Sequence, residues 1–417
     1  MVLFSVLFTR FIGASFVNYP RIVKLTALLT GVLICLLSTV LSSKWRLFDT
    51  LEILLPKVEY LSLVCCLIWI CFFISLTFSP KDWLLVSLVI YIVSIAIVSR
   101  LKPRFPNDAV VLLAGITLGK AAKTLFHKKN AMLSNRDERR LIALCCNSAS
   151  LLVFLIIILT FSSFWHLDLQ PTLYQGPRWM GFWNNPNEYG SLMAVGTVLC
   201  IAQVADARTL RYANSHYNVS IILVAIAILV AGLAFSYSRG AWVATTIGLL
   251  YLLKKRVHCG WYFVASGVML VGIVILLFWN TTSDSSPWYV KRLDIGRPSV
   301  QHRVAAWRGG LQMMMDYPFG VGWGNPGEVY RKRYTPPEGG AAAIETNDYI
   351  MLGAQLGIPG LVFFTLYMWL TFRRKSDDAS QIACQAGALV MLIAFWFDGG
   401  LFKIASTCVF WILLELG

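Results

Sequence analysis

The sequence predicts an all-α fold, a polytopic helical membrane protein with about 12 transmembrane helices and one long external loop that carries short helices. Of its 417 residues, 57% are hydrophobic and only 14% are charged. The apolar residues form long blocks of the length that crosses a bilayer, and short basic clusters separate them. A soluble domain does not need so much apolar surface.

Each apolar block is a predicted span. The least apolar of them, 109–126, contains Gly115, Gly119 and Lys120. In chain order, the predicted spans are roughly 23–41, 60–78, 83–99, 109–126, 141–164, 188–205, 219–235, 240–253, 261–279, 347–370, 381–397 and 401–416.

Basic residues between the spans predict which face is cytoplasmic. The clusters within 123–140, 254–256 and 373–375 fall on one face, whereas the basic segment 99–108 falls on the other and is the exception. The net charge of +15 is explained by basic residues on the cytoplasmic face, so it does not require a nucleic-acid partner. A functional basic surface is the alternative. The loop 280–346 is then external.

The chain divides into N-terminal helices, 1–164, and a second region, 165–417, that includes the external loop 280–346. A loop of this length is usually functional or disordered, and its aromatic residues and Gly-Pro turns predict a folded one. The ten cysteines lie mainly in or beside apolar blocks and show no disulfide or metal spacing. No metal or cofactor is predicted. The N-terminus lacks a clear small-residue cleavage site, so no cleaved signal peptide is expected.

Four polar segments meet on the predicted external face. Arg178 precedes a span, where an isolated arginine can also extend to lipid headgroups. Arg239 lies in a turn too short to leave the membrane surface, so an anion contact and a structural role are both open. The segments are GPRWMGFWNNPNEYG, FSYSRGAW, SVQHRVAAWRGGLQMMMDYPFGVGWGNPG and IETNDYIMLGAQLGIPG.

The third segment carries Arg303 and Arg308. Their spacing with Trp307 predicts a helix, for which an amphipathic surface helix on the membrane is the alternative role. The glycine-rich stretch that follows lacks the Lys-Ser/Thr of a phosphate-binding P-loop, so Gly322 and Gly324 are predicted to serve tight turns. Several arginines on one face with few carboxylates favour an anionic partner, and a membrane-bound diphosphate fits their bidentate geometry.

With these motifs in this order, the chain resembles the O-antigen ligase and O-antigen polymerase superfamily over roughly 175–416. The resemblance implies a protein of the bacterial cytoplasmic membrane whose active face is periplasmic. It also implies a metal-independent glycosyltransferase, with arginines that hold the diphosphate of an undecaprenyl-diphosphate donor. By position, Arg239 and Arg303 match those arginines, and Arg178 is the third candidate.

The fourth segment departs from the pattern of the family ligases. Asn347, Gly357 and Gly360 keep its register, but Thr346 stands where a histidine is expected. A threonine hydroxyl is a poor general base, so a carboxylate is the predicted replacement. The candidates for the base are Glu345 and Asp348, and Glu345 is favoured because it precedes the span and lies next to the position of the histidine.

Asp348 is suited to capping or to orienting the acceptor, and Thr346 and Asn347 to contacting it. A compatible alternative is a helix N-cap formed by Thr346 or Asn347, with Asp348 complementing the helix dipole.

The predicted function is therefore transfer of a saccharide from an undecaprenyl-diphosphate-linked donor to an acceptor hydroxyl on a glycan or lipid, in surface polysaccharide assembly. Because Thr346 replaces the histidine expected of the ligases, a polymerase or a divergent transferase is favoured slightly over a ligase. The alternative is a transporter or flippase of an anionic solute or lipid-linked saccharide, which should show internal repeats and broken helices. The sequence shows no internal repeat. The predicted partners are the lipid-linked glycan, the acceptor and membrane lipids, and no nucleic acid.

Overall fold

A computed structural model describes residues 82–98, 107–126, 157–159, 178–183, 185–205, 216–255, 298–335, 343–374, 378–397 and 400–417. These residues form helices joined by turns, with no β-strand among them. The all-α prediction is confirmed for this part of the chain. The predicted spans 23–41, 60–78 and 261–279, and most of 141–164, lie outside it.

The described α-helices are numbered here in chain order. They are α1 (Asp82–Val98), α2 (Asn107–Phe126), α3 (Pro186–Ala205), α4 (His216–Phe235), α5 (Arg239–Lys254), α6 (Pro298–Asp316), α7 (Pro326–Arg333), α8 (Asp348–Phe372), α9 (Ala379–Ala394) and α10 (Ile404–Leu416). Short 3₁₀ turns lie at Gly181–Trp183, Ala343–Thr346 and Phe395–Phe397.

Each predicted span that falls within the described residues coincides with a helix to within one helical turn. Two helical stretches there, Asp348–Phe372 and Ala379–Phe397, are long and apolar enough to cross a membrane, and shorter apolar helices accompany them. The number of transmembrane helices stays a prediction.

Helices α2 and α10 run parallel in close contact because glycines let their backbones approach each other. A β-carbon added at Gly115 would lie 2.3 Å from Thr407, and one at Gly119 would lie 2.6 Å from the carbonyl oxygen of Trp411. Two glycines four residues apart are a frequent contact motif of membrane helices, since they let backbones approach closely. The glycines that made the span 109–126 the least apolar are therefore its packing surface.

The helices share two ends. The upper end holds the starts of α3, α5, α8 and α10. Glu188 accepts a 3.0 Å hydrogen bond from Ser406, and Asp348 contacts Gly400. A β-carbon added at Gly190 in α3 would lie 2.6 Å from Oγ of Ser236, just before α5. The lower end holds the ends of α2 and α10, where Lys120 and Lys123 each lie 3.2 Å from the buried carboxylate of Glu415. The lower end also carries the basic residues Lys254, Lys255, Arg373 and Arg374.

Helix α8 is broken at Gly357, whose φ of 72° and ψ of −176° are not helical. The turn between α6 and α7 fills the break with its own backbone. Val321 N donates to Ala354 O at 2.8 Å, Gly322 N to Gln355 O at 3.2 Å, and Ile358 N to Pro318 O at 2.8 Å. Part of the predicted external loop therefore packs against the break in α8, with Trp323 buried.

This turn is anchored from a second side by α1. The indole Nε1 of Trp323 donates to Ile92 O at 3.1 Å, and the hydroxyl of Tyr91 donates to Leu356 O at 2.8 Å. Three glycines of the turn have positive φ, which for Gly322 and Gly324 is the tight-turn role predicted from the sequence. They are Gly320 (84°), Gly322 (85°) and Gly324 (69°).

We expect Gly357→Ala to destabilise the protein far more than Gly324→Ala. Both positions have positive φ, which costs a side-chain-bearing residue about 1–2 kcal/mol. A β-carbon at Gly357 would also lie 2.3 Å from Pro318 O, whereas one at Gly324 has nothing within 4 Å. Thermal unfolding of the two purified variants in the same detergent measures the difference, and equal losses would contradict the role of the turn in bracing the break.

Candidate functional site

The segment around Arg178 is fixed to the turn between α4 and α5. The guanidinium is 4% exposed, with Nε donating to Ser236 O at 2.6 Å and Nη2 donating to Asn187 Oδ1 at 2.9 Å. Trp179 N also donates to Phe235 O at 3.1 Å. Arg178 therefore joins two of the predicted motifs, and its contact with substrate stays a prediction.

The turn at 236–238 sets the position of Arg239. Ser236 Oγ donates to Leu233 O at 2.7 Å and accepts from Ser238 N at 3.2 Å. Ser238 caps α5 by accepting a hydrogen bond from Ala241 N. Arg239 is thus the first residue of α5 and is partly exposed. A guanidinium beside a helix N-terminus is a favourable place for an anion, because the helix dipole adds to the charge.

The start of α5 lies against the 3₁₀ turn Phe395–Phe397. A β-carbon added at Gly240 would be 2.5 Å from Cβ of Phe397, so only glycine permits this contact. The neighbouring Trp396 packs on Trp307 of α6 and on Tyr349 of α8, with ring centroids 6.1 Å and 5.1 Å apart. The turn therefore brings α5, α6 and α8 together at the upper end.

Helix α6 carries the two remaining arginines. Arg303 is partly exposed and lies one helical turn before Trp307, on the same side of the helix. It therefore shares the upper end with Arg239. Arg308 is exposed. The predicted helix over this segment is confirmed, and the roles of both arginines stay predictions.

Helix α8 begins with an N-cap at Asn347, one of the two residues predicted for this role. Asn347 Oδ1 accepts hydrogen bonds from Tyr349 N at 3.0 Å and Ile350 N at 3.1 Å. Thr346 ends the preceding 3₁₀ turn and is partly exposed, so it is not the cap. Glu345 lies in the same turn, and its side chain lies outside the described part of the structure.

Asp348 is used for a contact between helices. Its side chain is buried, and Oδ2 accepts hydrogen bonds from Gly400 N and Leu401 N, each at 3.0 Å. An oxygen that holds two backbone N–H groups is a weak proton acceptor for a substrate. This arrangement favours the orienting role for Asp348 and leaves Glu345 as the better candidate for the base.

Two features of the upper end were missed by the sequence reasoning. Gln355 Nε2 donates to Asp108 Oδ2 at 2.5 Å, which ties the start of α2 to the broken part of α8. Trp396 was also not singled out, because a tryptophan in an apolar block has no signal of its own until its neighbours are known. Among the described residues, no group of three or more His, Cys, Asp or Glu could hold a metal ion.

The described part of the chain is thus an all-helical bundle with two helices long and apolar enough to cross a membrane, and three of the polar segments meet around one 3₁₀ turn at one end of it. Residues 224–365 match the family model described as O-antigen ligase, which confirms the resemblance for this segment. The segment holds Arg239, Arg303, Arg308 and the stretch from Glu345 to Asp348. No curated protein and no solved structure matches the chain significantly.

The family that this segment matches, of the O-antigen ligase and polymerase type, consists of glycosyltransferases of the bacterial inner membrane that act in O-antigen assembly. Arg178 lies outside the matched segment.

Proposed function

We propose that this protein transfers a saccharide from an undecaprenyl-diphosphate-linked donor to an acceptor hydroxyl. The observation that carries the proposal is the contact chain from Gly240, the residue after Arg239, through Phe397 and Trp396 to the helix of Arg303. It brings two partly exposed arginines of separate helices to one end of the bundle. Each bidentate arginine–phosphate contact contributes on the order of 1.5–3 kcal/mol.

In the proposed reaction, the acceptor oxygen attacks the anomeric carbon and the bond from that carbon to the phosphate oxygen breaks. The acceptor proton passes to Glu345, and the lipid diphosphate leaves with the bonding electrons. Arg239 and Arg303 stabilise the charge that grows on the diphosphate, a role that a metal ion has in other transferases. A nearby carboxylate favours the positive charge that develops on the sugar ring.

The alternative, a transporter or flippase, is favoured by the break in α8, since broken helices carry ion and substrate sites in transporters. Here, however, the carbonyls of Ala354, Gln355 and Leu356 accept hydrogen bonds from the protein itself. The break is therefore occupied by the turn between α6 and α7, which makes the transferase the better proposal.

The test is saccharide transfer by the purified protein from an undecaprenyl-diphosphate-linked repeat unit to a glycolipid acceptor extracted from a deletion strain. We expect transfer that survives a chelator, with product resolved by mass. Movement of the donor across vesicles without transfer would favour the flippase instead. In the deletion strain, loss of long chains with capped single units retained indicates a polymerase, whereas accumulated lipid-linked polymer indicates a ligase.

A further inference from the structure

Three aromatic side chains form a cluster at the upper end, defined here as the aromatic cluster: Trp307, Tyr349 and Trp396. Trp396 is the middle member and is 44% exposed, although its ring contacts both of the others. The hydroxyl of Tyr349 donates to Leu392 O at 2.6 Å, which fixes the ring that supports Trp396. The cluster thus presents a rigid aromatic surface that is partly open.

Two hydrogen-bond donors with no partner lie in or beside this cluster. Trp307 Nε1 and Asn347 Nδ2 are buried and have no partner among the described residues. Asn347 is completely buried, and its Oδ1 is held by the cap of α8, so its amide nitrogen cannot turn away without breaking the cap. A buried donor without a partner is unfavourable, and a hydrogen bond to a ligand acceptor would remove that cost.

The cluster also adjoins the proposed diphosphate site. Phe397 follows Trp396 and packs on the glycine beside Arg239, while Arg303 lies one turn before Trp307. A sugar ring combines an apolar C–H face with hydroxyl oxygens that accept hydrogen bonds. An aromatic surface with a few fixed donors is complementary to both. A lipid chain would use the aromatic surface and leave the donors without partners.

We propose that the aromatic cluster is the subsite for the acceptor saccharide, with a sugar ring stacked on Trp396 and hydroxyl oxygens near Trp307 Nε1 and Asn347 Nδ2. This inference rests on the proposed transferase function and assigns its acceptor side. Trp396 is a binding and specificity residue in this assignment, because it contacts the acceptor and exchanges no proton.

The test compares Trp396→Leu, Trp396→Phe and the control Trp369→Leu. Trp369 is also an exposed tryptophan, 54% accessible, but lies near the lower end of α8. Initial rates are measured with the extracted glycolipid acceptor varied at saturating donor, and then with the donor varied. For Trp396→Leu we expect the acceptor KM to rise about tenfold, which corresponds to about 1.4 kcal/mol, because leucine removes the aromatic face on which the sugar stacks. The donor KM should change less than about twofold.

Trp396→Phe should recover most of the acceptor affinity, because it keeps an aromatic face, and Trp369→Leu should match the wild type. An unchanged acceptor KM in Trp396→Leu would overturn the inference, as would equal losses in the leucine and phenylalanine variants with the donor KM also raised.

A binding measurement separates this inference from the proposed function. The extracted acceptor should raise the melting temperature of the wild type and not that of Trp396→Leu. If the wild type binds the acceptor in this way but transfers nothing, the transferase proposal fails while the saccharide subsite stands. If the wild type transfers and both proteins respond equally to the acceptor, the subsite fails alone.

Discussion

Replacing Arg239 or Arg303 by lysine is expected to reduce saccharide transfer by about 10- to 100-fold, although each substitution keeps the positive charge. Lysine presents a point charge where the planar guanidinium offers paired N–H groups to phosphate oxygens. Removal of one donor from a site that stabilises developing charge has an effect of about 100- to 1,000-fold in enzymes, so a partial replacement should fall below that.

Arg331→Lys is the matched control for these variants. Arg331 is exposed on α7, and its Nε donates to Gly327 O at 3.1 Å within its own helix. The control should transfer at the wild-type rate. Rates are measured with purified undecaprenyl-diphosphate-linked donor at several concentrations, so that kcat and KM are separated. Near-normal kcat and KM in both Arg239→Lys and Arg303→Lys would remove the diphosphate role from these arginines.

Glu345→Gln is expected to lower kcat by about 100-fold or more while donor binding survives, because a positioned general base contributes about 10²–10⁴ to the rate. Glutamine keeps the shape of the side chain but accepts no proton. Donor binding and turnover are measured on the same purified protein. The same variant should retain the melting temperature of the wild type.

Asp348→Asn is expected to show the opposite pattern. Its carboxylate oxygen accepts from Gly400 N and Leu401 N, and an asparagine amide holds these donors less strongly because it carries no charge. Loss of charge-assisted hydrogen bonds in a buried site costs about 1.5–3 kcal/mol each, so the melting temperature should fall. A variant with normal stability and no turnover would reverse the roles of Asp348 and Glu345.

The sequence by itself determined the class of this protein. Long apolar blocks and basic clusters predict membrane helices from local sequence alone, because a helix satisfies all of its backbone hydrogen bonds within its own segment. The order of the motifs along the chain indicated a resemblance to the O-antigen ligase family, and residues 224–365 match the model of that family. The N-cap at Asn347 was one of two local possibilities.

The contacts of single residues were decided by tertiary structure. Asp348 looked like a candidate base, but its oxygen holds the backbone of Gly400 and Leu401, which lie far along the chain. The glycine-rich stretch was predicted to form tight turns, and the structure shows that its backbone also fills the break at Gly357. The place of Trp396 in an aromatic cluster could not be predicted from sequence, because Trp307 and Tyr349 reach it from other helices. In each case the decisive contact joins residues that are distant in sequence, and a hydrophobic pattern carries no information on which distant partner a side chain meets.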